Sequence, residues 1–147
     1  MHRTTGIILG LALLLGLAAA TQAETRRGDA GANTFTGTPH RDSYWGYAGN
    51  DLLSGRGSRD HLNGGRGVDA VRGGRGSDYV YGGRGNDRLR AARGADHLYG
   101  GRGNDRLFAF GADGRVDVVD CGAGANDFAR VHTGDKTAHC ETVERVG

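Results

Sequence analysis

The sequence has 147 residues, a formal net charge of +2 at pH 7, 29 glycines, one proline and two cysteines. So much glycine excludes an ordinary packed core, because glycine loses the most backbone entropy on folding and a chain this small has little apolar surface to offset that loss. Composition alone is equally compatible with a disordered Gly/Arg/Asp linker, so the order of residues along the chain decides.

The chain opens Met1-His2-Arg3, runs apolar from Gly6 to Ala20 and turns polar at Thr21-Gln22-Ala23-Glu24, the layout of a secretory signal peptide over residues 1–23. The apolar run is shorter than the roughly 20 residues needed to span a bilayer, so cleavage is expected, after Ala23 or after Ala20. No second apolar run of that length follows, and the product is expected to be secreted, extracellular and without a membrane span.

Beyond the leader, Asp42, Asp51, Asp60, Asp69, Asp78, Asp87, Asp96 and Asp105 recur at every ninth position, with Asn33 extending the series backward. Two residues after each stands a bulky apolar residue: Phe35, Tyr44, Leu53, Leu62, Val71, Val80, Leu89, Leu98 and Leu107. The sharpest units carry the glycines Gly64, Gly65 and Gly67 before Asp69, Gly73, Gly74 and Gly76 before Asp78, Gly82, Gly83 and Gly85 before Asp87, and Gly100, Gly101 and Gly103 before Asp105. Each reads G-G-R-G-x-D-x-U.

This nonapeptide resembles that of the RTX (hemolysin-type) calcium-binding repeat proteins over residues 28–108, in a short secreted form. The resemblance implies an all-β fold, a right-handed parallel β-roll in which a six-residue turn and a three-residue strand make one unit and two units make one coil. It also implies Ca²⁺ as the cofactor. The residue chemistry agrees: glycines permit positive-φ turns, the central apolar residue of each strand points inward, and turn carbonyls with Asp carboxylates offer the all-oxygen donor set that hard Ca²⁺ prefers. Stacked aspartates would repel one another without a cation, so folding is expected to be coupled to calcium. The alternative is a metal-free solenoid whose aspartates merely cap turns.

Positions eighteen apart stack, which puts Asp51, Asp69, Asp87 and Asp105 on one side and Asp42, Asp60, Asp78 and Asp96 on the other. The first side has the complete loops and is expected to hold the best sites. The second is degraded by Gly55-Arg56-Gly57-Ser58-Arg59-Asp60 and by Ala91-Ala92 before Asp96. The metal-site residues expected are the twelve glycines named above with Asp51, Asp69, Asp78, Asp87, Asp96 and Asp105. Outward strand residues give one face the stripe Trp45, His61, Tyr79, Tyr81, His97 and Tyr99, flanked by Ser43 and Asn63. Such a stripe suits stacking on sugars, although aromatics also simply favour strands. The opposite face carries Leu52/Ser54, Ala70/Arg72, Arg88/Arg90 and Arg106/Phe108, and Arg66, Arg75, Arg84, Arg93 and Arg102 recur in the turns. These ladders are either solvated edges or a surface for an acidic partner, and no specific nucleic-acid binding is expected of them.

After Phe108 the nonapeptide phase breaks, and residues 109–147 are expected to form a cap over the open end of the solenoid. This stretch resembles the tail of short bacterial RTX-like proteins, in which V-D-C-G-x-G-x-D precedes N-C-E. One inserted residue before Asn126-Asp127 takes Asp127 out of the register of a ligand, and His139 stands where Asn is common. Cys121 and Cys140, an even pair in an exported chain, point to one disulfide worth about 3 kcal/mol, with free thiols or an intermolecular bridge as the alternatives. No catalytic set assembles: G-x-S-x-G and H-E-x-x-H are absent and the histidines are scattered. The expected function is a secreted calcium-binding β-roll module, not an enzyme and monomeric. The alternative is a calcium-dependent cell-surface or glycan-binding protein presenting one of its faces.

Overall fold

The computed structural model describes residues 22–147, so the leader expected at 1–23 lies outside the described residues apart from its last two positions. Fourteen strands follow in chain order: β1 (Thr25–Arg27), β2 (Thr34–Thr36), β3 (Ser43–Ala48), β4 (Leu52–Arg56), β5 (His61–Arg66), β6 (Ala70–Gly74), β7 (Tyr79–Arg84), β8 (Arg88–Ala91), β9 (His97–Arg102), β10 (Arg106–Ala109), β11 (Val118–Ala123), β12 (Phe128–His132), β13 (Lys136–Ala138) and β14 (Thr142–Val146). The described residues contain no helix.

Odd-numbered strands form one seven-stranded sheet in the order β1-β3-β5-β7-β9-β11-β13, and even-numbered strands form the other, from β2 to β14. Every pairing is parallel, and within the repeats the register advances by eighteen residues, as in Leu62↔Val80↔Leu98 and Leu53↔Val71↔Leu89. The architecture is a parallel β-solenoid in which the chain alternates between two facing sheets, one coil per eighteen residues.

The two-residue alternation of a strand explains what lies inside. Around β5, Asp60, Leu62 and Gly64 are buried while His61 and Asn63 are half-buried on the outer surface. The unit therefore turns three residues inward: an aspartate, an apolar side chain and the first glycine of the next turn. Tyr44, Leu53, Leu62, Val80, Leu89, Leu98 and Leu107 are fully buried and continue into Val119, Ala129 and Val131. Both sheets contribute inward side chains to this core.

The longer strands run five or six residues rather than three, because pairing continues through the turn glycines, as in Gly65↔Gly83↔Gly101. Gly65, Gly83 and Gly101 have φ of 112°, 118° and 112°, the left-handed region. Where the pattern lacks glycine the backbone keeps the same shape, with Tyr47 at 74°, Arg56 at 82° and Ser58 at 68°. Those residues carry strain that glycine avoids.

The segment after Phe108, where a cap is expected, continues the coil. β11 pairs with β9, β12 with β10, and β13 and β14 close the two sheets. Extra residues are taken up in the turn between β10 and β11, where Gly114 has φ of 71°. Cys121 and Cys140 form the expected disulfide, with Cα atoms 5.1 Å apart, tying β11 to the chain just beyond β13.

Candidate metal centre

Two rows of carboxylates run the length of the solenoid, one along each turn line. Each aspartate binds the backbone of the coil before it. The N–H of Asp51 donates to Asp69 Oδ1 at 2.7 Å, that of Asp69 to Asp87 Oδ1 at 2.8 Å, and that of Asp87 to Asp105 Oδ1 at 2.8 Å. On the other side the same bond links Asp42 to Asp60, Asp60 to Asp78 and Asp78 to Asp96, at 2.8, 2.9 and 2.8 Å. The aspartate carbonyls accept N–H groups from the next coil, as Asp69 does from Arg88 at 2.8 Å. All eight repeat aspartates are at most 2% exposed.

In seven of the eight one carboxylate oxygen is thus committed to structure and the other is not, while in Asp42 Oδ2 also accepts a bond, from the Thr38 N–H at 2.7 Å. Oδ2 of Asp51, Asp60, Asp69, Asp78, Asp87, Asp96 and Asp105 is buried and has no hydrogen-bond partner. In each complete loop it lies over the first glycine, which faces the aspartate across the turn. A Cβ on Gly82 would sit 2.5 Å from Asp87 Oδ2 and 2.7 Å from the Gly100 carbonyl oxygen. Gly64 and Gly73 stand in the same relation to Asp69 and Asp78. At these glycines a Cβ would crowd the free carboxylate oxygen, whereas before Asp96 the same position is taken by Ala91.

Burial of ionisable oxygens without counter-charge moves their protonation. Desolvation, opposed by the backbone N–H each carboxylate accepts and reinforced by neighbouring aspartates, pushes Asp78 up to about 8 and Asp60 and Asp87 up to about 7. Asp96 and Asp105 rise to about 6, and Asp69 is raised for the same reasons. Exposed Asp29 and Asp113 shift the other way, held down by backbone N–H groups of Gly31 and Arg115 respectively.

Such a row takes either protons or cations. Among the described residues no three acidic, histidine or cysteine side chains converge on one point, so carboxylates alone would not enclose an ion. The donors fit Ca²⁺ in kind: unpartnered carboxylate oxygens, backbone carbonyls at the same shoulder and no sulfur or imidazole among them, which is the set a hard cation prefers. The residues that would hold it are the aspartates of stacked coils and the carbonyls of their glycine loops. Bound there, the cation would supply the positive charge that the buried rows lack.

The expected two-sided division of the aspartates is present, and both sides bury their carboxylates alike, including Asp60 and Asp96 in the irregular loops. The structure adds residues that the nonapeptide spacing passes over. Asp96 donates its N–H to Asp117 Oδ1 at 2.8 Å, Asp117 to Asp135 Oδ1 at 2.9 Å, and Asp105 to Asp127 Oδ1 at 2.7 Å. Burial pushes Asp117 up to about 7. Asp117 and Asp135 are eighteen apart and each precedes an inward residue by two, Val119 and Thr137, a trace of the repeat legible without the glycines.

The outer faces are arranged as the spacing implies. Tyr79 stacks on His97 at 4.8 Å between ring centroids and Tyr81 on Tyr99 at 4.9 Å, while His61 bridges Trp45 at 5.6 Å and Tyr81 at 5.2 Å. Beside this stripe Arg66, Arg84 and Arg102 stand in register on successive coils and, with Trp45, Tyr47 and Asn63, line a shallow cavity of about 540 Å³. On the other sheet Arg88 lies 5.1 Å from the Phe108 ring and Arg130 5.6 Å from that of Phe110.

A family model for the RTX calcium-binding nonapeptide repeat matches the chain in four copies, over residues 24–53, 36–71, 45–80 and 81–109. No curated protein and no solved structure matches it.

Proposed function

This chain belongs to the RTX calcium-binding nonapeptide repeat family, and we propose that it is a secreted module whose stack folds as its aspartate rows take up Ca²⁺. The observation that carries the reading is the run of buried, unpartnered Oδ2 atoms, all but that of Asp96 facing a glycine cradle. Unpaired buried charge is costly, and a divalent cation shared between coils removes that cost at several positions at once. Binding and folding are then one equilibrium, because neither half of a shared site exists in the unfolded chain. The apolar leader and the disulfide support export to an oxidising compartment. Isothermal titration of the metal-stripped protein with Ca²⁺, followed in parallel by far-ultraviolet circular dichroism, tests this. Heat uptake or release concurrent with a gain of β signal is expected, whereas an unchanged spectrum throughout would sink the coupling.

A second reading rests on the stacked outer face. Trp45, His61, Tyr79, Tyr81, His97 and Tyr99 form one stripe of rings, a surface suited to the apolar faces of sugars in cell-wall or matrix glycans. A glycan array probed with and without calcium, and with Tyr81→Ala, separates it from a purely structural or buffering role. Absence of any calcium-dependent glycan signal leaves the first reading alone.

A further inference from the structure

The turns that follow β4, β6 and β8 carry a cavity of about 460 Å³ lined by four arginines, Arg56, Arg72, Arg75 and Arg93. The rest of its lining, Ser54, Gly74 and Ala92, offers neither a ring nor a carboxylate. Register builds the cluster. Arg72 stands between Ser54 and Arg90 on the outer surface, Arg75 pairs with Arg93 across successive coils, and the Arg75 N–H donates to the Arg56 carbonyl at 2.8 Å. Neighbouring coils are ~4.8 Å apart, so guanidinium groups stacked along them repel unless something negative lies between. All four arginines are exposed, and among the described residues none of them pairs with a carboxylate; the arginine ion pairs there are Arg26–Glu24 and Arg130–Glu144. Asp113, from the adjoining coil, is taken up by the N–H groups of Gly94 at 2.7 Å and Arg115 at 3.0 Å and is not part of the lining.

Two further observations point to a use for this charge. Arg56 is held at φ 82°, in the left-handed region, where the next coil has Gly74. A long cation kept at a glycine position against that strain is a side chain with work to do. The cavity also lies at the edge of the outer face on which Arg88 stands beside Arg106 and Arg72 beside Arg90. On the other sheet the matching positions of β5, β7 and β9 are histidine, asparagine and tyrosine, so the positive charge is concentrated on one side of the solenoid.

We propose that this arginine cavity and the face it opens on bind a sulfated polysaccharide. The planar guanidinium fork matches an oxyanion through paired N–H donors, and arginines repeating from coil to coil match an anion repeating along a polymer. With no ring in the cavity there is no platform on which a base could stack, which sets single-stranded nucleic acid aside. Polymers of phosphate or carboxylate would draw calcium from the aspartate rows, whereas a sulfate ester is a weak calcium ligand and keeps its charge throughout the pH range of a folded protein. The inference uses the folded stack but none of its carboxylate donors, and it concerns the sheet opposite the aromatic stripe.

The test is titration calorimetry of the full chain at saturating calcium with three probes: a short heparin oligosaccharide, the same oligosaccharide after complete desulfation, and a single-stranded oligonucleotide of equal length. Heparin binding that weakens as salt rises is expected, with both other probes bound far more weakly. Arg75→Gln/Arg93→Gln is expected to weaken heparin binding about tenfold, the scale of two exposed charge pairs lost together. Arg66→Gln/Arg84→Gln, which removes the same charge from the opposite shoulder, is expected to change it far less. If circular dichroism shows the first variant unfolded, Arg72→Gln/Arg90→Gln is read in its place. No heparin binding, equal binding of the desulfated oligosaccharide or of the oligonucleotide, or equal losses from the two shoulders overturns the proposal.

Discussion

The decisive perturbation is to remove calcium and then vary pH, because protons are the other species able to neutralise the aspartate rows. Asp78 is raised to about 8 and Asp60, Asp87 and Asp117 to about 7, from an ordinary value of 3.8. A carboxyl whose folded pKa is raised binds its proton more tightly when folded. Its contribution to stability is full below the ordinary range and is lost as pH rises through the folded value. Between about pH 5 and about pH 7.5 a group at about 7 loses ~2.5 kcal/mol and one at about 8 loses ~3 kcal/mol. Because neighbours along a row titrate as a set, half of the four-residue sum, on the order of 5 kcal/mol, is the working figure. That is comparable with the whole stability of a small domain, about 5–15 kcal/mol. Metal-stripped protein is therefore expected to show a β spectrum near pH 5 and to lose it near pH 7.5, while millimolar calcium keeps it folded at both. The assay is circular dichroism after passage over a chelating resin at each pH. Identical apo spectra at the two pH values would refute the argument, since buried carboxylates cannot be both uncompensated and indifferent to protons.

Three substitutions extend the reasoning. Asp87→Ala, between two complete loops, is expected to reduce calcium affinity more than Asp60→Ala in an irregular loop; equal losses in parallel calorimetric titrations would remove the distinction between the two sides. Arg56→Gly is expected to stabilise the calcium-loaded protein by about 1 kcal/mol, because the exposed Arg56 is held at φ 82° where Gly74 stands one coil later; thermal unfolding reads this directly, and a lower midpoint would argue that the arginine side chain matters more than its backbone. Leu89→Ala, fully buried in the core between the sheets, is expected to cost about 2–5 kcal/mol in chemical denaturation at saturating calcium. A loss below that range would mean that the coil collapses around the gap.

What the sequence disclosed and what it concealed follow from one property, periodicity. The aspartates from Asp42 to Asp105 and their apolar partners share one phase, so coil, register and the outer stripe from Trp45 to Tyr99 could be read before any coordinate. Asp127 could not, because the row is joined through a spacing of twenty-two between Asp105 and Asp127 and the extra residues leave no phase to follow. Glu141 was concealed further by its chemistry, since a longer carboxylate reaches a backbone N–H from a position that no aspartate spacing indicates. The left-handed backbone at Tyr47, Arg56 and Ser58 was equally hidden. Neighbouring coils impose the turn there, and residue type shows only that the turn is strained.

Why a cation, and not the core, should govern this fold follows from the inward triplet. Most units turn in one apolar residue, one carboxylate and one glycine, so apolar burial there is accompanied by a buried charge and by a residue of high entropic cost. In a solenoid each coil touches only its neighbours, and stability is close to a sum of like terms. A term unfavourable without a counter-ion is then unfavourable in every coil, and one made favourable by a shared ion is favourable in every coil that shares it. The stack is thus poised to respond as a whole rather than unit by unit. Its ends need different treatment, because a terminal carboxylate has a partner coil on one side only. At the amino end the row finishes in Asn33, an uncharged amide whose N–H donates to Asp51 Oδ1 at 2.7 Å. At the carboxy end it finishes in Glu141, anchored through its neighbour Cys140 to Cys121. One end avoids the unpaired charge, and at the other the segment that carries it is fixed by a covalent bond.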